Sequence, residues 1–145
     1  MTKIDDSKIY IKIIIIPLII AFIIGAISLY SIMVVEPKAK ALIDSLNPKS
    51  MKEAYIMLRK GELFSGYTHW DLDGDIVRKS IKYFDNKIYN EVEINKDDKR
   101  YLTEILNRRE AGSKLGIETS LFLLIVSFAG FIAYIFEKRS MQQAV

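Results

Sequence analysis

IIIIPLIIAFIIGAISLYSIMVV, residues 13–35, is the stretch on which the fold turns. It runs for twenty-three residues without a charge and holds nine isoleucines between Ile13 and Ile27. As a helix it reaches about 34 Å, enough to cross a hydrocarbon core of ~30 Å. In water a β-branched run of this kind reads as strand. In lipid a lone strand leaves its N–H and C=O groups unpaired at a cost of several kcal/mol each, and a helix does not. The isoleucines themselves favour insertion. Pro17 is expected in the first turns, where its missing donor does least harm.

A second block runs from Leu115 to Phe136, with an unbroken apolar core from Leu121, and stops at Glu137, Lys138 and Arg139. Tyr10 and Tyr30 flank the first block, and Tyr134 and Phe136 close the second, as aromatic rings do at the headgroup level. The fold class these blocks predict is an all-α integral membrane protein: a two-helix transmembrane hairpin with a small, mainly helical extramembrane domain between the spans. In residue numbers that is a terminal tail over 1–12, spans over 13–35 and 115–136, an extramembrane domain over 36–114 and a second tail over 137–145. A cleaved signal peptide would have to end near Ala26-Ile27-Ser28, but the apolar run continues to Val35, so a retained anchor is expected.

Composition agrees with a divided chain. Mean hydropathy is +0.15 although 27% of residues are charged, so apolar blocks alternate with strongly charged ones. The 21 basic and 18 acidic residues leave a net charge of +3, which gives no nucleic-acid footprint. With no cysteine, disulfides, thiol nucleophiles and thiolate metal sites are excluded. Near the spans, Lys8, Lys12, Lys138 and Arg139 on the terminal side nearly cancel Lys38, Lys40, Arg108, Arg109 and Lys114 on the loop side. Loops longer than about sixty residues translocate largely regardless of charge, which favours a multi-pass cell-membrane protein with cytoplasmic termini and an extracytoplasmic loop.

Between the blocks, Asn47-Pro48 is an N-cap and first-turn pair, and Arg59, Lys60 and Gly61 suit a helix C-terminus. Met51, Ala54, Tyr55 and Leu58 share one face, and Ala39, Leu42, Ile43 and Leu46 repeat the pattern before it. Pro37 is expected to break the chain or kink it. A third helix is expected from Asp75, burying Val77, Ile81 and Phe84, with Asn86 as its stop. Ile88, Val92 and Ile94 alternate with acids over too short a run to separate strand from helix. A fourth helix is expected from about Asp97 to Ala111, burying Tyr101, Leu102, Ile105 and Leu106 and ending at Gly112.

Candidate sites are few. Ala21, Gly25 and Ser28 in the first span and Ser127, Gly130 and Ala133 in the second form small-residue stripes suited to helix packing. Phe64, Tyr67, His69 and Trp70 lie in an aromatic loop with the chain's only His and Trp, and are expected to contact a partner, the bundle or headgroups. Asp71, Asp73 and Asp75 resemble the opening of a calcium loop. Counted from Asp71, however, the sixth position is Ile76 and the twelfth is Lys82, where glycine and a carboxylate are needed, so a turn with Asp75 as a cap is expected instead. Glu118, four residues after Lys114, is expected at the interface. No catalytic motif, cofactor site or metal site emerges. The lipid bilayer and other membrane protein subunits are the expected partners, with nucleic acid and small molecules not indicated. The expected role is a structural or accessory subunit of a larger membrane complex. The alternative is a membrane-anchored sensor with an extracytoplasmic ligand-binding bundle, for which the residues after Arg139 leave output to a separate partner.

Overall fold

The computed structural model describes residues 6–59 and 74–143, which are helical almost throughout and contain no strand. In chain order the helices are α1 (Asp6–Tyr30), α2 (Glu36–Asp44), α3 (Pro48–Arg59), α4 (Gly74–Tyr89) and α5 (Lys99–Gln143). A π-helical turn, Ser31–Val35, lies between α1 and α2, and a 3-10 turn, Lys96–Asp98, precedes α5. Two of these stretches, Ile9–Asp44 and Lys96–Ser140, are long and apolar enough to cross a membrane. The described residues fall into two compact units, one within Met1–Ile27 and Gly116–Val145 and the other within Ser28–Leu115. The division falls inside both the expected first span and α5.

The first unit is an antiparallel pair of helical segments. Tyr10 stacks near Tyr134 at 6.1 Å between ring centroids. The hydroxyl of Ser127 donates to the Ile14 carbonyl, and that of Ser120 to the Ala21 carbonyl. Because α1 starts at Asp6, Pro17 is interior to it rather than in its first turns. The carbonyl of Ile13, four residues back, therefore loses its α-helical donor.

The second unit is a small bundle. Asn47 caps α3, its Oδ1 accepting from the N–H groups of Lys49 (2.9 Å) and Ser50 (3.4 Å). Met51, Ala54, Tyr55 and Leu58 of α3 meet Ala39 and Ile43 of α2, Phe84 of α4, Ile94, and Leu102, Ile105 and Leu106 of α5 in one core. The Tyr55 and Phe84 rings lie 5.1 Å apart. Tyr101, expected in this core, is instead exposed and lies 5.2 Å from the Tyr83 ring. Val77 is half-buried. Lys60 and Gly61, expected to close α3, lie outside the described residues.

Two boundaries differ from those read from sequence. Asn86 does not stop α4, which continues to Tyr89. It ends in a Schellman arrangement: the Val92 N–H donates to the Lys87 carbonyl and the Glu91 N–H to that of Ile88, with Glu91 in the left-handed region at φ 55°. Ile88 therefore belongs to α4, and Val92 and Ile94 follow in non-helical chain rather than a strand. Gly112 does not end a helix but sits inside α5. A glycine tolerates a helix interior at a cost of roughly 0.5–1 kcal/mol relative to alanine, a penalty too small to override a continuous helical pattern on both sides. A Cβ built on Gly112 would meet nothing within 4 Å. Gly112→Ala is thus expected to raise stability by about 0.5–1 kcal/mol, read as a higher midpoint in thermal unfolding followed by circular dichroism.

Candidate functional site

Chemistry is concentrated in three places: the seam of the first unit, and two buried polar clusters in the second. The seam is built from small and hydroxyl-bearing residues. Ala21 is fully buried, Ser120 and Ser127 nearly so, and Gly25 and Gly130 are half-buried. A Cβ on Gly25 would stand 2.8 Å from Ser120 Oγ, and one on Gly130 would stand 3.2 Å from Ile13 Cγ2 and 3.4 Å from Ile14 Cγ1. The large side chains turn the other way: Phe22 is 66% exposed, Ile125 67% and Phe128 64%. Polar inside and apolar outside is the reverse of what water selects.

Among the residues read from sequence as packing stripes, the structure brings together Ala21, Gly25, Ser127 and Gly130. Ala133 is exposed and takes no part, because Gly130 and Tyr134 occupy the facing positions one turn apart. Ser28 is buried but groups with the second unit, and its Oγ has no hydrogen-bond partner among the described residues. Phe64, Tyr67, His69, Trp70, Asp71 and Asp73 lie outside the described residues, and Asp75 lies in the first turn of α4. Glu118 is exposed, away from its seam neighbours Gly116 and Ser120. Sequence reasoning missed Ser120, although Ser113, Ser120 and Ser127 recur every seven residues, the spacing of a helix seam.

The first buried cluster centres on Asp98, which is 2% exposed. Its carboxylate accepts from Lys87 Nζ (2.6 Å), the Tyr83 hydroxyl (2.8 Å) and the Asn95 N–H (2.8 Å). The Asn95 side chain returns a bond from the Asp97 N–H, closing a capping box at the entry to α5. Lys87 also lies 5.0 Å over the Tyr83 ring. Burial opposes the Asp98 charge, yet Lys87, the Asn95 N–H and Tyr83 together hold its pKa below the ordinary carboxylate value. For Lys87 burial likewise opposes the charge, and the bonds to Asp98 and Tyr83 outweigh it, raising its pKa. Three donors converge on the Asp98 carboxylate, and the cluster ties α4 to the start of α5. A second tie is more exposed: the Tyr55 hydroxyl donates to Asp85, which Arg59 also meets at 3.3 Å. Burial, then the Asp85 carboxylate, raises the Tyr55 pKa.

The second buried cluster is Ser31, Glu36 and Arg109. Arg109 Nε donates to Ser31 Oγ (2.8 Å), and its terminal NH1 donates to the Leu58 carbonyl (3.0 Å) in the last turn of α3. Ser31 Oγ in turn donates to Glu36 Oε1 (3.0 Å). Burial pushes the Arg109 pKa down, and the Glu36 carboxylate opposes that shift. Among the described residues no group of three or more His, Asp or Glu side chains is placed to hold a metal ion. Compared with protein-family models, with curated proteins and with solved structures, the chain gives no match.

Two outcomes are expected. Gly130→Leu should overpack the seam by about 1–3 kcal/mol and slow disulfide formation between cysteines placed at Ala21 and Ser120 in this cysteine-free chain. For Asp98 the folded pKa lies below the unfolded one, so its contribution is complete above about pH 4 and is lost as pH falls through the lower folded value. Asp98→Asn should therefore cost about 3 kcal/mol at pH 7, where it strands Lys87, and progressively less below pH ~4. Thermal melts of both proteins from pH 7 to pH 2 check this, and a constant offset across that range would show that the charge is not what matters.

Proposed function

We propose that the protein is an integral membrane protein whose first unit is a two-span helical hairpin, and that it serves as a structural or accessory subunit of a larger membrane complex. The observation that supports the membrane reading is the inverted polarity of the hairpin: serine, glycine and alanine meet in the seam while Phe22, Ile23, Phe122, Ile125 and Phe128 face outward. In water those exposed side chains would each forfeit about 1.5–3 kcal/mol of burial. In lipid they are at home, and the serine hydroxyls find carbonyl partners across the seam.

The stretch Ile9–Ile27 of α1 runs against the segment of α5 from Gly116, and nineteen residues of helix reach about 28 Å, close to the hydrocarbon thickness. Lys12 and Glu118, both exposed, then extend their charged heads toward the two headgroup layers. On this reading the first span is shorter at its C-terminal end than residues 13–35, since Ser31–Val35 groups with the second unit.

The accessory-subunit role follows from what two helices can do. A pair packed this closely encloses no path or pocket of its own, and most of its apolar surface is left for lipid and neighbouring spans. The polar groups Asp98 and Arg109 of the second unit bond across helices to internal partners, which suits scaffolding better than turnover. A membrane-anchored sensor is the second reading, favoured by the uninterrupted run of α5 from Lys99 to Gln143, which gives residues to both units.

Fractionation tests the membrane reading directly: the protein should stay with membranes through alkaline extraction, and a freely soluble product made without detergent would refute it. Single cysteines at Ser7, Lys52, Lys82 and Ser140, labelled with an impermeant thiol reagent from each side, should place the first and last together and the middle pair opposite. For the subunit role, purification in mild detergent should recover the chain with stoichiometric membrane partners. A monodisperse lone monomer would remove that role and leave the hairpin intact.

A further inference from the structure

The turn between α1 and α2 is not an ordinary stretch of helix. Across Ser31–Val35 the backbone widens so that the Glu36 N–H donates to the Ser31 carbonyl five residues back. Turns of this kind are rare, and each amounts to one extra residue inserted into an α-helix. The buried positions around the turn are Ser28, Ser31, Val35, Glu36, Ala39 and Ile43, with Val35 and Glu36 buried side by side.

The side chains around the turn are specific to this register. In an α-helix, residues five apart project about 140° from one another and cannot touch, whereas the i→i+5 turn stacks them. The Ser31–Glu36 hydrogen bond therefore exists only in the wide form. Arg109 completes the arrangement from α5, donating to the shared Ser31 hydroxyl and to the Leu58 carbonyl of α3. Pro37 acts in the same direction. In an α register its ring would meet the carbonyl of Met33, a clash costing about 3 kcal/mol.

We infer that Ser31–Val35 is a register joint within the second unit, and that Ser31, Glu36 and Arg109 are its catch. With the catch closed, α2 is held in one rotational setting against α5. With it open, the extra residue is absorbed and α2 turns by about 100°. The inference needs no membrane and does not depend on the subunit role.

The absence of cysteine makes the test direct. Nitroxides at Lys40 on α2 and Asn107 on α5, both exposed, report the setting by pulsed electron resonance in the full-length, detergent-solubilised protein. The parent should give one distance. Arg109→Met combined with Pro37→Ala should add a second population displaced by about 8 Å, the swing of a side chain carried through 100° on a helix surface. Ser31→Ala with Pro37→Ala, which removes the shared hydroxyl and no charge, should do the same and guards against loss of fold in the arginine variant. Deleting Met33 in the Pro37→Ala background should return a single, parent-like distance, because the inserted residue is gone and both flanking phases are kept. One unchanged distance in both the Arg109 and Ser31 variants would overturn the joint, as would a Met33 deletion that rotates α2 or unfolds the bundle.

Discussion

Two hydroxyl groups reaching across a helix seam set the terms for the rest of this molecule. Ser120 and Ser127 can donate to the carbonyls of Ala21 and Ile14 only if the backbones approach closely, and close approach requires that Ala21, Gly25 and Gly130 stay small. A seam made of small residues leaves most of the large apolar side chains of the two blocks on its outer side, Phe22, Ile23, Phe122 and Phe128 among them. Close backbone approach and the outward turn of these side chains are in this way one constraint rather than two.

The second unit solves a different problem. It has a core of ordinary make-up, with Tyr55, Phe84 and Leu102 at its centre, but the core is small and drawn from four short stretches of chain. Small cores rarely supply more than a few kcal/mol, so polar ties between helices matter more than they would in a larger domain. Asp98 joins the start of α5 to α4 through Lys87 and Tyr83, and Arg109 joins α5 to α3 and to the turn before α2. An exposed pair, Lys99 with Asp44 at 2.7 Å, adds a weaker link between α5 and α2. The Lys99 hydrogen bond holds the Asp44 pKa below its usual value, but solvent on both side chains limits its worth.

Much of the helical content was legible because its signals were redundant. The α3 helix announced itself through Asn47-Pro48 at one end and four apolar residues on one face, and each cue alone would have sufficed. Element boundaries were harder to read because they depend on marginal terms. Asn86 and Gly112 are both poor helix residues, yet neither costs enough to outweigh favourable turns on either side. Pro17 was misplaced for a related reason: the helix start was read from where charges end, and α1 extends through Lys8 and Lys12 to Asp6. The buried clusters were illegible in principle. Arg109 and Ser31 are 78 residues apart, and an arginine near the end of a helix reads as a favourable dipole partner until tertiary structure supplies something better. In the seam, Ala21, Gly25, Ser127 and Gly130 were visible as small-residue stripes. Ser120 stands outside those stripes, and only its interval of seven from Ser113 and Ser127 marks it.

The seam also distributes evolutionary freedom unequally between its two helices. Its donors are side chains and can be lost by a single substitution at Ser120 or Ser127. Its acceptors are backbone carbonyls, which every amino acid provides. The heritable instruction for pairing is thus written mostly in α5, while α1 supplies backbone acceptors and stays small only at Ala21 and Gly25. Drift should accumulate faster in the composition of the N-terminal stretch than in the serine spacing of the C-terminal one, even as the two go on meeting at the same atoms.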